Sequence, residues 1–298
     1  MRVSLIVASE PNIFNHKQQN FFASVAAQTY PHDAFEVIFV DGQARASTSR
    51  AFAEFRQQYP AISASLLNCL SPARATQNNM AAAHANGDLL VFLADDFDPS
   101  PGLIAAYAEY HTLNPDLNAV GIGPGLFPDN CRKDIFARWL EDSGKIFGVP
   151  MRRILAVWPK TFFYAGNASI KKVKFQSLGG FDERFPNDAW DDYEFGLRWV
   201  ASGGYSQFVA GATAAHRHVV SFDERCRNME HAGKAARVLE KLHPDMDHAW
   251  RAIIHRDNEP RHPSPEGNAP MHTWIAFYVQ QMDAAFRRGY LGAVEADK

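Results

Sequence analysis

Asp95 and Asp96 are adjacent carboxylates that follow directly on an apolar run ending at Leu93. Two like charges side by side are costly unless water or a cation shares them. The pair therefore reads either as a metal-binding corner or as the polar end of a buried strand, with Asp98 helping to start the next helix. Trp190-Asp191-Asp192-Tyr193-Glu194 sets three carboxylates within four positions at the opening of a helical stretch. There they either complement the helix dipole or supply a base that takes a proton from a hydroxyl. His216 and His218 alternate with Arg217 in a strand-like run, so both imidazoles face one side and can be packed, exposed or a nitrogen ligand. Asp41, before Gly42, is either a turn aspartate or an acceptor for a base or ribose. No glycine-rich phosphate loop follows the first apolar run and no Walker lysine motif occurs, so a bound phosphate needs a cation to neutralise it.

Residues of this kind need a scaffold that brings strand ends together, and the first half of the chain has its pattern. Short β-branched or aromatic runs over residues 3–8, 36–40, 62–67 and 88–93 alternate with helical stretches over 15–28, 51–59 and 76–85. Within the run 88–93 every residue after Asp88 is apolar, as in a central strand. Beyond it, Ser100 and Pro101 read as the cap and first turn of a helix, followed by a strand over 119–122. Residues 123–161 are irregular apart from a helix over 133–141. Gly179-Gly180-Phe181-Asp182 is a turn, 192–202 a helix stopped by Gly203-Gly204, and 212–220 a strand. Past Phe222 the composition turns charged and helical, with a polar break over 257–270, which predicts a catalytic domain over 1–222 and a helical extension over 223–298. Trp274, Phe277, Tyr278, Met282 and Phe286 form an apolar stripe in that extension, read as packing and leaving room for a homodimer contact or a membrane surface.

Bulk properties narrow the partners. Of the 298 residues 46% are hydrophobic and 21% charged, ordinary for a globular chain, and a net charge of −3 lacks the basic face of a nucleic-acid binder. Cys69, Cys131 and Cys226 are odd in number and lack a C-x-x-C pair, which argues against a disulfide framework or thiolate zinc site and for a cytoplasmic setting. No window reads as a transmembrane segment, so a membrane association would be peripheral.

Taken in order, these segments resemble family 2 of the inverting glycosyltransferases. Val3-Ser4-Leu5-Ile6-Val7-Ala8 is similar to the family's opening strand. Ser24 through Gln28-Thr29-Tyr30-Pro31 and Glu36-Val37-Ile38-Phe39-Val40-Asp41 are similar to its S-x-x-x-Q-x-Y-P and E-V-I-V-V-D. Asn78 and Gly87-Asp88-Leu89-Leu90-Val91-Phe92-Leu93 resemble the approach to its acidic metal motif. Gly179-Gly180-Phe181-Asp182-Glu183-Arg184-Phe185 and Trp190-Asp191-Asp192-Tyr193-Glu194-Phe195-Gly196-Leu197-Arg198 resemble G-G-F-D-E-x-F and W-E-D-x-[DE]-x-G-x-R. The likeness runs over roughly residues 1–220. Ala94 stands where the common D-x-D has its first acid, Gln77 where an arginine often precedes the asparagine, and Asp191 where a glutamate is usual.

That resemblance implies an α/β GT-A fold, a mixed sheet flanked by helices, and transfer of a sugar from a nucleotide-diphosphate donor, UDP-sugar favoured, to a saccharide or glycoconjugate hydroxyl. It implies Ala8, Glu10, Asp41, Asn78 and Asp95 around the donor, with Asp41 at the base. Asp96 and His216 (or His218), then Asp98, would hold a divalent Mn²⁺ or Mg²⁺. Asp192, beside Asp191, would be the catalytic base. Two rivals remain: a nucleotidyltransferase, although Ser9-Glu10-Pro11-Asn12 is not its glycine- and basic-rich loop, and a catalytically silent nucleotide- or sugar-binding module, suggested by Ala94.

Overall fold

The computed structural model describes residues 1–9, 18–151, 161–186, 189–217, 219–248, 250–255 and 264–297. The chain divides into two compact units, one made of residues 1–183 and 191–219, the other of 184–190 and 220–298.

The first unit opens with alternating strands and helices: β1 (Val3–Ser9), α1 (Gln18–Ala26), β2 (Phe35–Asp41), α2 (Ala46–Gln58), β3 (Ser63–Asn68), α3 (Arg74–His84) and β4 (Leu89–Leu93). It continues through β5 (Phe97–Pro99), α4 (Leu103–Leu113), β6 (Ala119–Ile122), β7 (Gly125–Leu126), α5 (Ile135–Asp142) and β8 (Asn167–Lys171). It ends with α6 (Lys172–Ser177), α7 (Asp191–Ala201), β9 (Tyr205–Phe208) and β10 (Ala214–His216). Among the described residues the main sheet has the order β3-β2-β1-β4-β8-β6-β9, and β5-β10-β7 form a small second sheet. β1, β2, β3 and β4 run parallel, while β8 lies antiparallel between β4 and β6.

Every residue of β1, β2 and β4 is buried, as strands covered by helices on both faces must be, whereas the edge strand β3 is half-exposed. The apolar part of the run 88–93, Leu89–Leu93, is thus the middle strand that its composition predicts. Ser4 is paired inside this core: its Oγ donates to Glu36 at 2.6 Å and accepts from the Gly87 N–H at 2.9 Å. A Cβ at Gly87 would lie 2.7 Å from the Ser4 backbone, so only glycine lets the α3–β4 turn close onto β1. The buried Asn167, at the start of β8, donates to the carbonyls of Pro124 and Ala212 and accepts from the Tyr107 hydroxyl, tying the main sheet to the turns that lead into β7 and β10.

Of the boundaries that depart from expectation, three have a visible cause. α2 starts at Ala46 rather than residue 51, because Asp41 organises the turn before it and the serine- and threonine-rich first turn carries no helical signature of its own. α4 starts at Leu103 with Gly102 as its cap; Ser100 is not the N-cap, its carbonyl instead accepting the Leu103 N–H in a turn. Among the described residues of the strand expected over 212–220, Ala214–His216 form one, and Ala212 is spent in a turn closed on Val209.

The second unit is built on α8 (Phe222–Leu242), α9 (Arg251–Ile254) and α10 (Met271–Ala296). Ser221 and Glu224 form a reciprocal capping box at the start of α8. α8 and α10 approach closely at Gly233 and Gly289, where a Cβ would fall on the carbonyls of Phe286 and Glu230. Tyr278, Met282 and Phe286 of the apolar stripe are buried, and Phe277 and Tyr278 pack on Phe222. The segment 184–190 belongs to this unit, with the Trp190 indole N–H donating to the Ala232 carbonyl at 2.8 Å. Among the described residues no helix is long and apolar enough to cross a membrane.

Candidate functional site

In an open α/β sheet the ligand crevice lies at the carboxyl ends of the strands, where the strand order reverses. Here that point is between β1 and β4, since the chain runs outward through β2 and β3 before crossing back to β4. Ala8 is buried in β1, and Ser9 lies opposite Asp41 of β2 in the parallel register. The Asp41 carboxylate accepts the N–H groups of Gln43 and Arg45, both at 2.9 Å, and the Arg45 guanidinium at 3.1 Å. Arg45 also donates to Ser9 Oγ at 3.0 Å. Burial pushes the Asp41 carboxyl up, but the hydrogen bonds from Gln43 and Arg45 oppose it, and the group is held below the ordinary carboxylate range. The loop carries Ala44 at φ +50°, a left-handed conformation rarely adopted without glycine. Glu10 lies outside the described residues.

β4 delivers Asp95 and Asp96. Asp95 is 5% exposed, with Arg74 of α3 4.0 Å from its carboxylate. Asp96 is more open, and its Oδ2 lies 2.9 Å from Nε2 of His216. That imidazole is set by an aromatic cage: the rings of Phe97, Phe127 and Phe147 surround it edge-on at centroid distances of 5.3, 5.1 and 5.7 Å. The antiparallel pairing of His216 with Phe97 in β10 and β5 brings strand and acid together. Asp98 has a different partner, Arg217 Nε at 2.9 Å, while the same guanidinium donates to the Asp95 carbonyl at 2.6 Å. Burial raises the Asp98 carboxyl, with the Arg217 charge opposing it and Asp96 adding to it. His218 lies outside the described residues.

Among the described residues no three His, Cys, Asp or Glu side chains converge as a metal cage. Asp96 and His216 instead offer one carboxylate and one imidazole. That donor set fits a divalent ion that completes its shell with phosphate oxygens and water, with the nitrogen favouring Mn²⁺ over Mg²⁺.

The three acids of α7 have three fates. Glu194 is 3% exposed and forks with Arg198 through contacts of 2.7 to 3.0 Å, while Arg198 also donates to the carbonyls of Leu178 and Gly180. Asp191 is buried. Asp192 is half-buried, its Oδ2 accepting the Ala165 N–H at 3.2 Å, which orients the carboxylate without enclosing it. Behind α7, Phe92, Phe163, Phe175, Phe181 and Phe195 pack ring against ring at centroid distances between 4.8 and 6.2 Å. The Gly179-Gly180 turn is clamped by Asn79, which exchanges hydrogen bonds with Phe181 and reaches Glu183. Asn78 itself is a buried residue of α3.

Arg198→Ala removes the partner of a buried carboxylate and of two carbonyls, and is expected to cost about 3 kcal/mol of stability. Thermal unfolding should show this as a Tm lowered by several degrees.

Sequence reading brought forward Asp95, Asp96, His216 and Asp192 but missed Arg45, Arg74 and Arg217. Each arginine reaches a strand-end aspartate or its neighbour. Arg45 and Arg74 were visible only as isolated basic residues and Arg217 only as the residue facing away from His216 and His218, and nothing in their spacing announces a shared destination.

The model of Glycosyl transferase family 2 matches residues 19–175, just over half of the chain. No curated protein matches the sequence. A mannosyltransferase from Pyrobaculum calidifontis, PcManGT, solved with GDP-Man and Mn²⁺, superposes with a TM-score of 0.56 at 17% identity, over 99% of this chain and 74% of that one. TarS from S. aureus gives 0.55 at 15% identity over 96% of this chain, which spans half of TarS. Its 1–349 portion with UDP gives 0.52 at 13% identity, over 99% of this chain and 92% of that one. At such identities the superpositions establish the GT-A fold, and the family match establishes the rest: the chain belongs to glycosyl transferase family 2 and is a glycosyltransferase.

Proposed function

We propose that the protein moves a sugar from a nucleoside-diphosphate donor to a hydroxyl of a saccharide or glycoconjugate acceptor, with inversion at the anomeric carbon, in the synthesis of a cell-surface polysaccharide or glycoconjugate. The observation that carries this reading is the Asp96–His216 pair at 2.9 Å, placed directly after the central strand β4. The complexes of PcManGT with GDP-Man and Mn²⁺ and of TarS with UDP support the same donor class. Residues 1–222 are read as the catalytic region and 223–298 as its extension.

In this reaction the half-buried Asp192 takes the proton of the acceptor hydroxyl. The hydroxyl oxygen then bonds to the anomeric carbon as the bond to the diphosphate oxygen breaks, and that electron pair leaves with the nucleoside diphosphate. A divalent ion held by Asp96 and His216 would supply Lewis-acid stabilisation of the leaving diphosphate. Glu194, forked with Arg198, holds the opening of α7 in place, and Arg74 and Arg217 hold the strand-end acids by charge.

Thermal stabilisation by UDP, GDP and ADP, each with Mn²⁺, Mg²⁺ or chelator, tests the donor class. A ligand at 100 times its Kd adds about 2.7 kcal/mol of stability. At least one nucleotide should raise Tm by several degrees with Mn²⁺ and by less with chelator. Absence of any rise would remove the donor claim, and binding without turnover would favour a silent binding module.

A further inference from the structure

The second unit holds a cavity of about 320 Å³ that none of the strand-end acids lines. Ile254, Leu291 and Val294 give it an apolar lining. Trp250 lines it as well, 6% exposed, its ring stacked on His248 at 4.7 Å and packed against Tyr290 at 5.3 Å. That packing fixes the ring, yet its indole N–H is buried with no hydrogen-bond partner among the described residues. Native folds rarely leave a buried N–H without an acceptor, so this one calls for a partner from outside the chain.

The charged side chains of the lining are unevenly committed. Glu240 accepts from Arg237 and from the Tyr290 hydroxyl, and Arg237 also reaches Asp297, which Lys241 holds. Arg251 is only loosely held, its Nη2 lying 3.8 Å from Glu240 and 3.4 Å from the Pro244 carbonyl, with 38% of its side chain exposed. Most of the donors of that guanidinium are therefore uncommitted. Three cations, Arg237, Lys241 and Arg251, meet two carboxylates, Glu240 and Asp297, an excess of one positive charge. What this lining has to spare is donors and positive charge, beside apolar side chains. A neutral sugar needs donors and acceptors alike, whereas an anion takes donors alone. A guanidinium fork occupies two oxygens of an anion, and a phosphate monoester has a third for the indole where a carboxylate has none. We propose that the cavity binds a phosphate monoester with an apolar tail, its oxygens taking the Arg251 fork and the Trp250 N–H and its tail lying on Ile254, Leu291 and Val294. Every lining residue belongs to the second unit, so this inference does not depend on the nucleotide-sugar reading.

Calorimetric titration of the full chain with hexyl phosphate, inorganic phosphate and hexyl glucoside tests it. Hexyl phosphate should bind at least about tenfold more tightly than inorganic phosphate, since burial of two methylenes is enough for that factor. It should exceed hexyl glucoside by a similar factor, because a neutral head leaves the donors unpaired. Arg251→Gln, at a partly exposed position, and Trp250→Phe, which keeps an aromatic ring and removes the N–H, should each weaken hexyl phosphate about tenfold. In a proton–nitrogen correlation spectrum the indole resonance that Trp250→Phe removes should shift on addition of hexyl phosphate. Vesicles containing phosphatidic acid distinguish the two sources of such a headgroup. Co-flotation that Arg251→Gln abolishes assigns the site to a lipid, and hexyl phosphate binding without flotation assigns it to a soluble ester. Equal affinity for hexyl glucoside would overturn the anionic head, and equal affinity for inorganic phosphate the apolar tail. Hexyl phosphate binding that both variants and the Trp250 resonance ignore would place the ligand elsewhere and overturn the site, as would failure of every probe to bind.

Discussion

Asp192→Asn is expected to lower kcat for sugar transfer by about 100- to 10,000-fold, the range in which a positioned general base contributes, while donor affinity changes less than about twofold. The substitution keeps an oxygen to accept the Ala165 N–H, so α7 should stay in place and Tm should move little. The neighbouring acids give the contrast. Asp191 is buried and Glu194 is locked to Arg198, so their amide variants should lower Tm as well as activity. Steady-state kinetics with donor and acceptor varied separately, beside calorimetric donor binding, resolves the two patterns. Transfer by Asp192→Asn at the native rate would show that another group takes the proton.

How far the sequence carries this site depends on how local each signal is. β1, β2 and β4 are legible because strands covered on both faces must be apolar throughout, and the acids after Leu93 are legible because they interrupt such a run. The Gly179-Gly180 turn is legible as well, both glycines lying at φ above +70°, where other residues are strained. The cage around His216 is not legible, because Phe97, Phe127 and Phe147 come from three separated segments that only the small sheet and its flanking turns assemble. The choice among Asp191, Asp192 and Glu194 also waits on structure. Three acids at a helix start are equivalent in sequence, and burial and Arg198 make them different. Asp98 shows the same limit: Asp96-Phe97-Asp98 spells a metal motif, yet in space Asp98 faces Arg217 while Asp96 faces His216.

Asp96→Asn and His216→Gln separate a metal-binding pair from an ion pair that only braces the small sheet. As ligands, both should raise the Mn²⁺ concentration needed for nucleoside-diphosphate binding, Asp96→Asn by about 100-fold and His216→Gln by about 10- to 100-fold, since even residues supporting a ligand change metal affinity by that much. The double variant should lose less than the two single losses combined, because removing either donor already dismantles the same shell. As a bracing ion pair, each change would leave a largely buried partner behind and lower Tm, and would leave the Mn²⁺ requirement where it was. The absence of an acid at Ala94 strengthens the expectation. Ala94 is 6% exposed and contributes a methyl group and a backbone N–H bonded to Gly166, so the carboxylate load after β4 falls on Asp95 and Asp96. Of those, Asp96 is the one beside an imidazole. Calorimetry of Mn²⁺ with saturating UDP or GDP reads this directly, and an unmoved Mn²⁺ affinity in Asp96→Asn would remove Asp96 from the metal site.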